Sequence, residues 1–169
     1  GQLDITPGGY LIARDGVIQG VYPALPEQYA GAPVEDYGDD LILQSFADLH
    51  LHGAQYPMLG MGMDLPLLDW LNAYAFPTEA RFADTGYARE IYRRLARELI
   101  ENGTTRVCMF SSLHTDATLI LMEELEKAGV TGYVGKVNMD RNAAPGVLEE
   151  TTEESKRCLL YTYPSPRDC

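Results

Sequence analysis

Apolar and polar positions follow two periods along the chain, and the order of those periods predicts the fold class. Residues 9–22 contain two short apolar runs around Asp15-Gly16, a dipeptide typical of β-hairpin turns. A loop rich in proline, glycine and acidic residues follows at 23–40. Residues 41–52 then alternate as a strand does, so the first third of the chain is predicted to be β structure.

The remaining segments alternate between helical and extended patterns. Residues 65–76 have apolar residues at helical spacing and are predicted to end as a helix before Pro77. Residues 87–103 predict an amphipathic helix that ends at Gly103 and has one apolar face, formed by Tyr87, Ile91, Leu95 and Leu99. Strands are predicted at 104–113 and 131–140. The helix between them, 115–129, should be capped by Thr115 or Asp116, and a capping box at Thr151 begins another helix.

This order predicts an α/β fold with a parallel sheet, because strands that alternate with helices are joined by crossover connections. A doubly wound sheet and an eight-stranded barrel both begin in this way. Three strand–helix units cannot close such a barrel, which takes about 250 residues. Periodicity alone does not choose between the two architectures.

Composition limits the possible partners. The chain has 169 residues, 46% of them apolar and 22% charged, which is typical of a globular domain. No apolar run approaches the roughly 20 residues of a membrane span, and no basic-then-apolar leader opens the chain. The net charge of −12 argues against nucleic-acid and anionic-membrane partners. We therefore expect a cytoplasmic protein that binds neither.

Cysteine usage and the C-terminal tail add little chemistry. Three cysteines without a CxxC spacing predict neither a disulfide framework nor a zinc knuckle, and Cys108 in its apolar run is expected to be a buried thiol. Pro164 and Pro166 interrupt the helix that begins near Thr151, as if the reading frame had been truncated. Residues 158–169 are therefore interpreted as a foreign tail without function.

Two of the three histidines, His50 and His52, lie one residue apart at the end of the first predicted parallel strand. Residues two apart on a strand share a face, so Asp48, His50 and His52 should project to one side and Leu49 and Leu51 toward helices. Two imidazoles in that position can bind one zinc ion, and Asp48 could orient one of them. An isolated HxH pattern is a weak signal, and catalytic zinc usually has three protein ligands.

The residues around this pair resemble a known family. "DLHLH" after a "DGVI" hairpin is similar to the amidohydrolase superfamily, whose first barrel strand carries an HxH pair. "FPTEARF" and "HTDAT" are more specific and resemble the guanine deaminase family, as do "DLHLHGAQYP", "VGKVNMD" and "ETTEES". The likeness runs from about residue 9 to about residue 156.

The resemblance implies a fold, an activity and a set of site residues. Members hydrolyse guanine to xanthine and ammonia with the help of one zinc ion. Residues 1–44 would be strands of a small β domain, and residues 45–157 the first three β/α units of an amidohydrolase-type barrel. His50 and His52 would be metal ligands, and the turn His52-Gly53-Ala54-Gln55 would contact the substrate through the Gln55 amide. The proton shuttle and remaining ligands would lie beyond residue 169, and the full-length protein would be a homodimer.

Five other residues are weaker candidates for the site. His114 and Asp140 follow predicted strands, but each could equally cap a helix or form a turn. Lys136 could bridge metals, as a modified lysine does in some amidohydrolases, but a lumen-facing or salt-bridged position is expected. Trp70 and Phe76 could line a purine pocket, although aromatic residues at helical spacing usually belong to a core.

Two alternatives to a guanine-specific enzyme remain open. The first is a related amidohydrolase that deaminates another amino-substituted heterocycle, such as a triazine, a pterin or an adenosine-type substrate. The second is that the polypeptide as it stands is a non-catalytic fragment, which binds metal weakly or associates with a missing half.

Overall fold

The computed structural model describes residues 4–156, in two compact units divided between Gln44 and Ser45. In the first unit β1 (Tyr10–Arg14) and β2 (Val17–Tyr22) pair antiparallel. Asp15 and Gly16 have φ of 51° and 76°, the left-handed pair that a two-residue hairpin turn requires. The predicted hairpin is therefore confirmed. The foreign tail predicted at 158–169, with Cys158 and Cys169, lies outside the described residues.

The second unit is a parallel sheet of β3 (Phe46–His52), β4 (Thr104–Phe110) and β5 (Thr131–Gly135), in that spatial order. Two long helices alternate with these strands: α3 (Thr85–Glu101) follows β3, and α4 (Thr115–Ala128) follows β4. The α/β class with a parallel sheet is confirmed. Each strand is shorter than predicted: residues 41–45 precede β3 without strand pairing, and β4 and β5 end at Phe110 and Gly135.

The core lies between one face of this sheet and the helices α3 and α4. On β4, Val107 and Met109 are buried, whereas Cys108 between them is exposed. The buried thiol predicted at Cys108 is wrong, because strand alternation turns it to the sheet face that these helices do not cover. The predicted apolar face of α3 borders the same core, which is formed mainly by Phe82, Ala88, Tyr92, Leu95, Ala96, Val107, Met109, Ala117, Leu121 and Leu125.

The helix predicted to stop before Pro77 continues through it. It consists of α1 (Leu67–Trp70), one wider π turn (Leu71–Ala75) and α2 (Phe76–Ala80), and a short 3₁₀ turn (Arg81–Ala83) follows. Pro77 lies in the first turn of α2, the part of a helix where proline is best tolerated. The π turn thus restarts the helix at a position that tolerates proline.

The ends of α3 and α4 show which capping predictions hold. Asp84 caps α3, accepting the N–H groups of Gly86 and Tyr87 at 2.8 and 3.1 Å. The N-cap of α4 is His114 rather than Thr115 or Asp116, because the extended backbone (φ −81°, ψ 119°) ends at His114. At Thr151 the predicted cap is present, since its hydroxyl accepts the N–H of Glu154 at 3.0 Å.

A buried carboxylate joins α3 to α4. Glu124 on α4 is 4% exposed. Its carboxylate forms ion pairs with Arg89 at 2.7 Å and Arg93 at 3.3 Å, both on α3, and with Lys127 at 3.2 Å. Burial alone would raise the pKa of this carboxyl, but the hydrogen bonds from the three cations outweigh it and lower the pKa. The pairing therefore keeps the charge on Glu124 inside the helix interface. No helix within residues 4–156 is long and apolar enough to cross a membrane.

The contact between β4 and β5 requires a glycine at 132. Gly132 has φ of 148°, and a Cβ there would lie 1.8 Å from the Val107 carbonyl oxygen. We predict that Gly132→Ala lowers the free energy of unfolding by about 3 kcal/mol or more, because backbone strain and a backbone clash act together. Urea titration followed by circular dichroism measures the loss.

Gly129→Ala is the matched control for this substitution. Gly129 also has positive φ, 77°, but a Cβ there would meet no heavy atom within 4 Å. Only conformational strain opposes alanine at this position, so the cost should be about 1–2 kcal/mol. Equal losses for the two variants would contradict the clash at Gly132.

Candidate functional site

The candidate site lies at the carboxyl ends of the three parallel strands. His50 and His52 end β3, Ser111 and Ser112 follow β4, and Lys136 follows β5. Ser111 donates its backbone N–H to the Gly135 carbonyl at 2.8 Å, which continues the β4–β5 contact beyond the strands. Polar residues from three strands therefore lie at the carboxyl end of the sheet, which is where α/β enzymes bind ligands.

His50 and His52 are neighbours on one side of β3. Their ring centroids lie 5.2 Å apart, with the rings edge to face at 71°. Phe110 at the end of β4 packs against both, with centroid distances of 6.0 Å to His50 and 5.1 Å to His52. Sequence reasoning missed Phe110, because its proximity comes from the parallel register that pairs it with His52.

The alternation predicted for β3 is interrupted just before the histidines. Asp48 pairs with Val107 and Leu51 with Met109, so β3 has three steps where β4 has two. Asp48 is thus in register with a buried residue of the helix-covered face rather than with the histidines. Its carboxylate accepts the backbone N–H of His50 at 3.1 Å. Within residues 4–156 it makes no hydrogen bond to an imidazole, and the orienting role of Asp48 stays a prediction.

The interruption also corrects the prediction for the leucines. Leu51 packs against the core, as predicted, whereas Leu49 is 76% exposed. Leu49 lies in the segment where the register slips, and the helices α3 and α4 do not cover it. Only one of the two leucines therefore faces a helix in the described structure.

The electrostatic setting of the histidine pair favours neutral imidazole. Burial lowers the pKa of His52, and the charge of neighbouring His50 lowers it further. Neutral imidazole is the form that binds metal, so this environment suits a ligand. The arrangement nevertheless supplies only part of a metal site: residues 4–156 contain no group of three or more His, Cys, Asp or Glu side chains that could hold an ion. The two imidazoles can supply two of the ligands of a zinc site, and such a site requires at least one further donor.

The segment after His52 is a well-packed 3₁₀ turn, Gly53–Met58. Ala54 is fully buried, and a Cβ on Gly53 would meet Leu95 at 3.3 Å and Leu121 at 3.4 Å. These two residues face the core, so their contacts with a ligand would come from the backbone. Gln55 is half-buried, and its Nε2 donates to the Glu79 carboxylate at 2.9 Å.

Glu79 is the second residue near the site that sequence reasoning missed. It lies on α2, is 5% exposed, and belongs to the "FPTEARF" segment. Burial raises the pKa of its carboxyl, and the hydrogen bond from Gln55 acts in the opposite direction. A glutamate near a helix start is ordinary on a surface. Only the fold reveals that this one is buried beside Gln55.

His114 is held by backbone contacts rather than by its ring. Its N–H donates to the Ser112 hydroxyl at 3.3 Å, and its carbonyl accepts the Thr118 hydroxyl at 3.1 Å. The ring makes no capping bond, and Nε2 is buried without a hydrogen-bond partner within residues 4–156. Burial lowers the pKa of His114, with a further contribution from the charge of Lys136.

Lys136 and Asp140 have structural contacts. Lys136 forms a buried ion pair with Glu149 and donates to the Asn138 side-chain oxygen at 2.8 Å. The salt-bridged position predicted for Lys136 is therefore observed. Asp140 lies five residues beyond β5 rather than at its end, and hydrogen bonds from Thr152 and Arg141 lower the pKa of its carboxyl.

The side chain of Trp70 contacts the loop that precedes α1. Its indole N–H donates to the Met61 carbonyl at 2.9 Å, and a Cβ on Gly62 would come within 3.1 Å of its ring. Trp70 and Phe76 are both half-buried, and neither makes a ring contact with the histidines. The purine-lining role considered for them stays a prediction.

Comparison with known proteins gives a consistent result. The model of the amidohydrolase family matches residues 41–161. Guanine deaminase of Rattus norvegicus is 48% identical over 116 residues, which is 69% of this chain and 26% of the rat protein. Guanine deaminase of Escherichia coli is 40% identical over 122 residues, 72% of this chain and 27% of that protein. The chain thus spans about a quarter of the length of these relatives.

Solved structures of guanine deaminases are also similar to this chain. The crystal structure of guanine deaminase from C. acetobutylicum, with guanine bound in its active site, is 44% identical with a TM-score of 0.84. The match covers 91% of this chain and 36% of that one. Guanine deaminase from Bradyrhizobium japonicum is 30% identical with a TM-score of 0.79, covering 94% of this chain and 35% of that one.

The cap of α4 generates a stability prediction. His114→Ser should raise the free energy of unfolding by about 0.5–2 kcal/mol, because serine caps a helix and the unpartnered Nε2 is removed. The lowered pKa of His114 adds a pH dependence: its contribution is present above the unfolded pKa of about 6.5 and is lost as pH falls below it. The gain from serine should therefore be larger at pH 5 than at pH 8, which urea titration at both pH values measures.

Asp84→Ser is the matched control, because the cap of α3 is already occupied by a side-chain oxygen. It should change the free energy of unfolding by less than His114→Ser does. A His114→Ser variant less stable than wild type at both pH values would contradict the uncapped state of α4.

Proposed function

Because the chain belongs to the amidohydrolase family, we propose that it is the N-terminal part of a zinc-dependent guanine deaminase. The reaction would be the hydrolysis of guanine to xanthine and ammonia. The family match, and the likeness to guanine deaminases over more than two thirds of this chain, support the proposal. The missing three quarters of the relatives' length make the whole reaction a property of the full-length protein.

The observation that carries this proposal is the geometry at the end of β3. Two imidazoles lie edge to face 5.2 Å apart, and a 3₁₀ turn then brings the Gln55 amide three residues further along. Donors for a metal and a donor–acceptor group for a heterocycle are therefore held on one short, well-packed segment. A deaminase needs this combination, since the reacting carbon must be oriented beside the nucleophile.

Each residue has a distinct role in the proposal. His50 and His52 would hold zinc through neutral imidazole, and a zinc ion held there would acidify water to near-neutral pKa. Gln55 would hydrogen-bond the purine edge, with backbone contacts from Gly53 and Ala54. Because Ala54 is fully buried in the core, the turn would keep its shape when substrate binds.

The remaining parts of the machinery would come from the rest of the protein. A third ligand, the proton shuttle and the other substrate contacts are assigned to residues outside the described segment. We also propose a cytoplasmic homodimer for the full-length protein. Size-exclusion chromatography with light scattering tests the dimer.

The proposed roles predict different outcomes for the metal ligands and for Gln55. In the full-length protein, His50→Ala or His52→Ala should abolish turnover and most of the bound zinc, because each removes one of a few ligands. Gln55→Ala should keep zinc and lower kcat/KM for guanine by one to two orders of magnitude, about 1–3 kcal/mol, because polar groups on the buried substrate lose a partner. Zinc content per chain and guanine kinetics measure both effects.

Three results would contradict these assignments. Loss of zinc in Gln55→Ala, or turnover with zinc retained in either histidine variant, would overturn the roles of these residues. Activity of wild-type protein on another amino-substituted heterocycle but not on guanine would overturn the substrate.

The isolated segment should not be catalytic. The 169-residue chain alone is predicted to lack measurable guanine hydrolysis and to be poorly stable. Its described residues offer two metal donors, leave β5 with an open edge, and expose Leu49 and Tyr133 by 76% and 73%. Activity assays and thermal unfolding of the chain, beside the full-length protein, test this. A cooperative transition together with turnover by the segment alone would refute it.

A further inference from the structure

Glu79 differs from the other buried carboxylates of the described structure. Glutamates 79, 124 and 149 are all less than 10% exposed. Glu124 is paired with Arg89, Arg93 and Lys127, and Glu149 with Lys136. Among residues 4–156, no cation pairs with Glu79, whose hydrogen bond comes from the Gln55 amide. A buried carboxylate without a cation is costly, so this position requires an explanation other than stability.

The chemistry of the pair fixes the direction of the amide. In the structure the NH₂ end of Gln55 faces Glu79, its Nε2 donating to Oε1 at 2.9 Å, and a carboxylate, which only accepts hydrogen bonds, holds the amide in that direction. Within residues 4–156, the Gln55 side chain makes no other hydrogen bond. Its Oε1 and one N–H of Nε2 therefore remain available, an acceptor beside a donor. That pattern complements a lactam edge, such as N1–H and O6 of guanine.

The supports on both sides of this pair are well packed. Gln55 lies on the turn Gly53–Met58, whose Ala54 is fully buried and whose Gly53 packs against Leu95 and Leu121. Glu79 lies on α2 and is itself buried. The amide is thus held between a packed turn and a buried residue of α2, an arrangement that suits a specificity-determining group.

We propose that Glu79 is a positioning residue, which fixes the rotamer and the flip of the Gln55 amide for binding of the purine edge. The role rests on the proposed function and acts wholly through Gln55. It predicts an effect on substrate binding rather than on the metal, because Glu79 contacts Gln55 and not the histidines.

The test is a double-mutant cycle in the zinc-loaded full-length protein. Glu79→Gln preserves shape but can present either end of its own amide to Gln55, so the Gln55 flip is no longer defined. We expect kcat/KM for guanine to fall about tenfold, mainly through KM, with zinc content unchanged. In the Gln55→Ala background, Glu79→Gln should change kcat/KM by less than about twofold, since its partner is absent.

A matched control separates positioning from general destabilisation. Glu124→Gln removes an equally buried carboxylate from the α3–α4 interface, away from Gln55. It should lower the melting temperature and leave KM for guanine unchanged. Should Glu79→Gln fail to fold, the cycle is repeated with Glu79→Asp, whose shorter side chain withdraws the acceptor from the Gln55 amide, and the same criterion applies.

The outcomes distinguish this inference from the proposed function. If wild-type protein does not hydrolyse guanine, the proposed function fails and the positioning role fails with it. If wild-type protein is active but Glu79→Gln lowers kcat/KM by the same factor with and without Gln55, or leaves KM unchanged, the positioning role alone is overturned. An effect confined to the background that contains Gln55 supports it.

Discussion

The rest of the parallel-sheet unit depends on the packing of one face of the sheet against helices α3 and α4. Val107 and Met109 insert into that interface and fix which side of β4 is apolar. Parallel pairing then sets β3: Leu51, opposite Met109, must face the helices, and His52, opposite Phe110, must face away. The position of the histidines therefore follows from the burial of two β4 residues that take no part in the chemistry.

The hydrophobic pattern predicts the parts of the fold that are local in sequence. The hairpin at Asp15-Gly16 and the helices α3 and α4 were predictable, because turn chemistry and helical periodicity act within a few residues. The π turn before Pro77 and the register slip after Asp48 were not. Both depend on pairing and packing with segments distant along the chain, which single-sequence periodicity does not contain.

The residues of the candidate site likewise fall into those that the sequence predicts and those that only the fold reveals. The close spacing of His50, His52 and Gln55 predicts that they lie together, and the rings of the two histidines are 5.2 Å apart in the structure. Glu79 and Phe110 are 24 and 58 residues away from the site residues they contact, Gln55 and His52. Neither has a sequence signal of its own, since a glutamate near a helix start and a phenylalanine ending a strand are commonplace. Register and helix packing alone bring them to the site.

The two sides of the candidate site are supported by different parts of the fold, and in the proposed enzyme this would separate metal affinity from substrate affinity. The histidines are placed by β3 and its pairing with β4, whereas Gln55 is held by the turn and by α2. A change in α2 can therefore alter the orientation of the amide without moving the imidazoles. Because the turn is packed against the core through Ala54, its backbone has little room to follow such a change. In the proposed enzyme, substrate preference could thus vary through α2 while the strand that carries the two histidines remains unchanged.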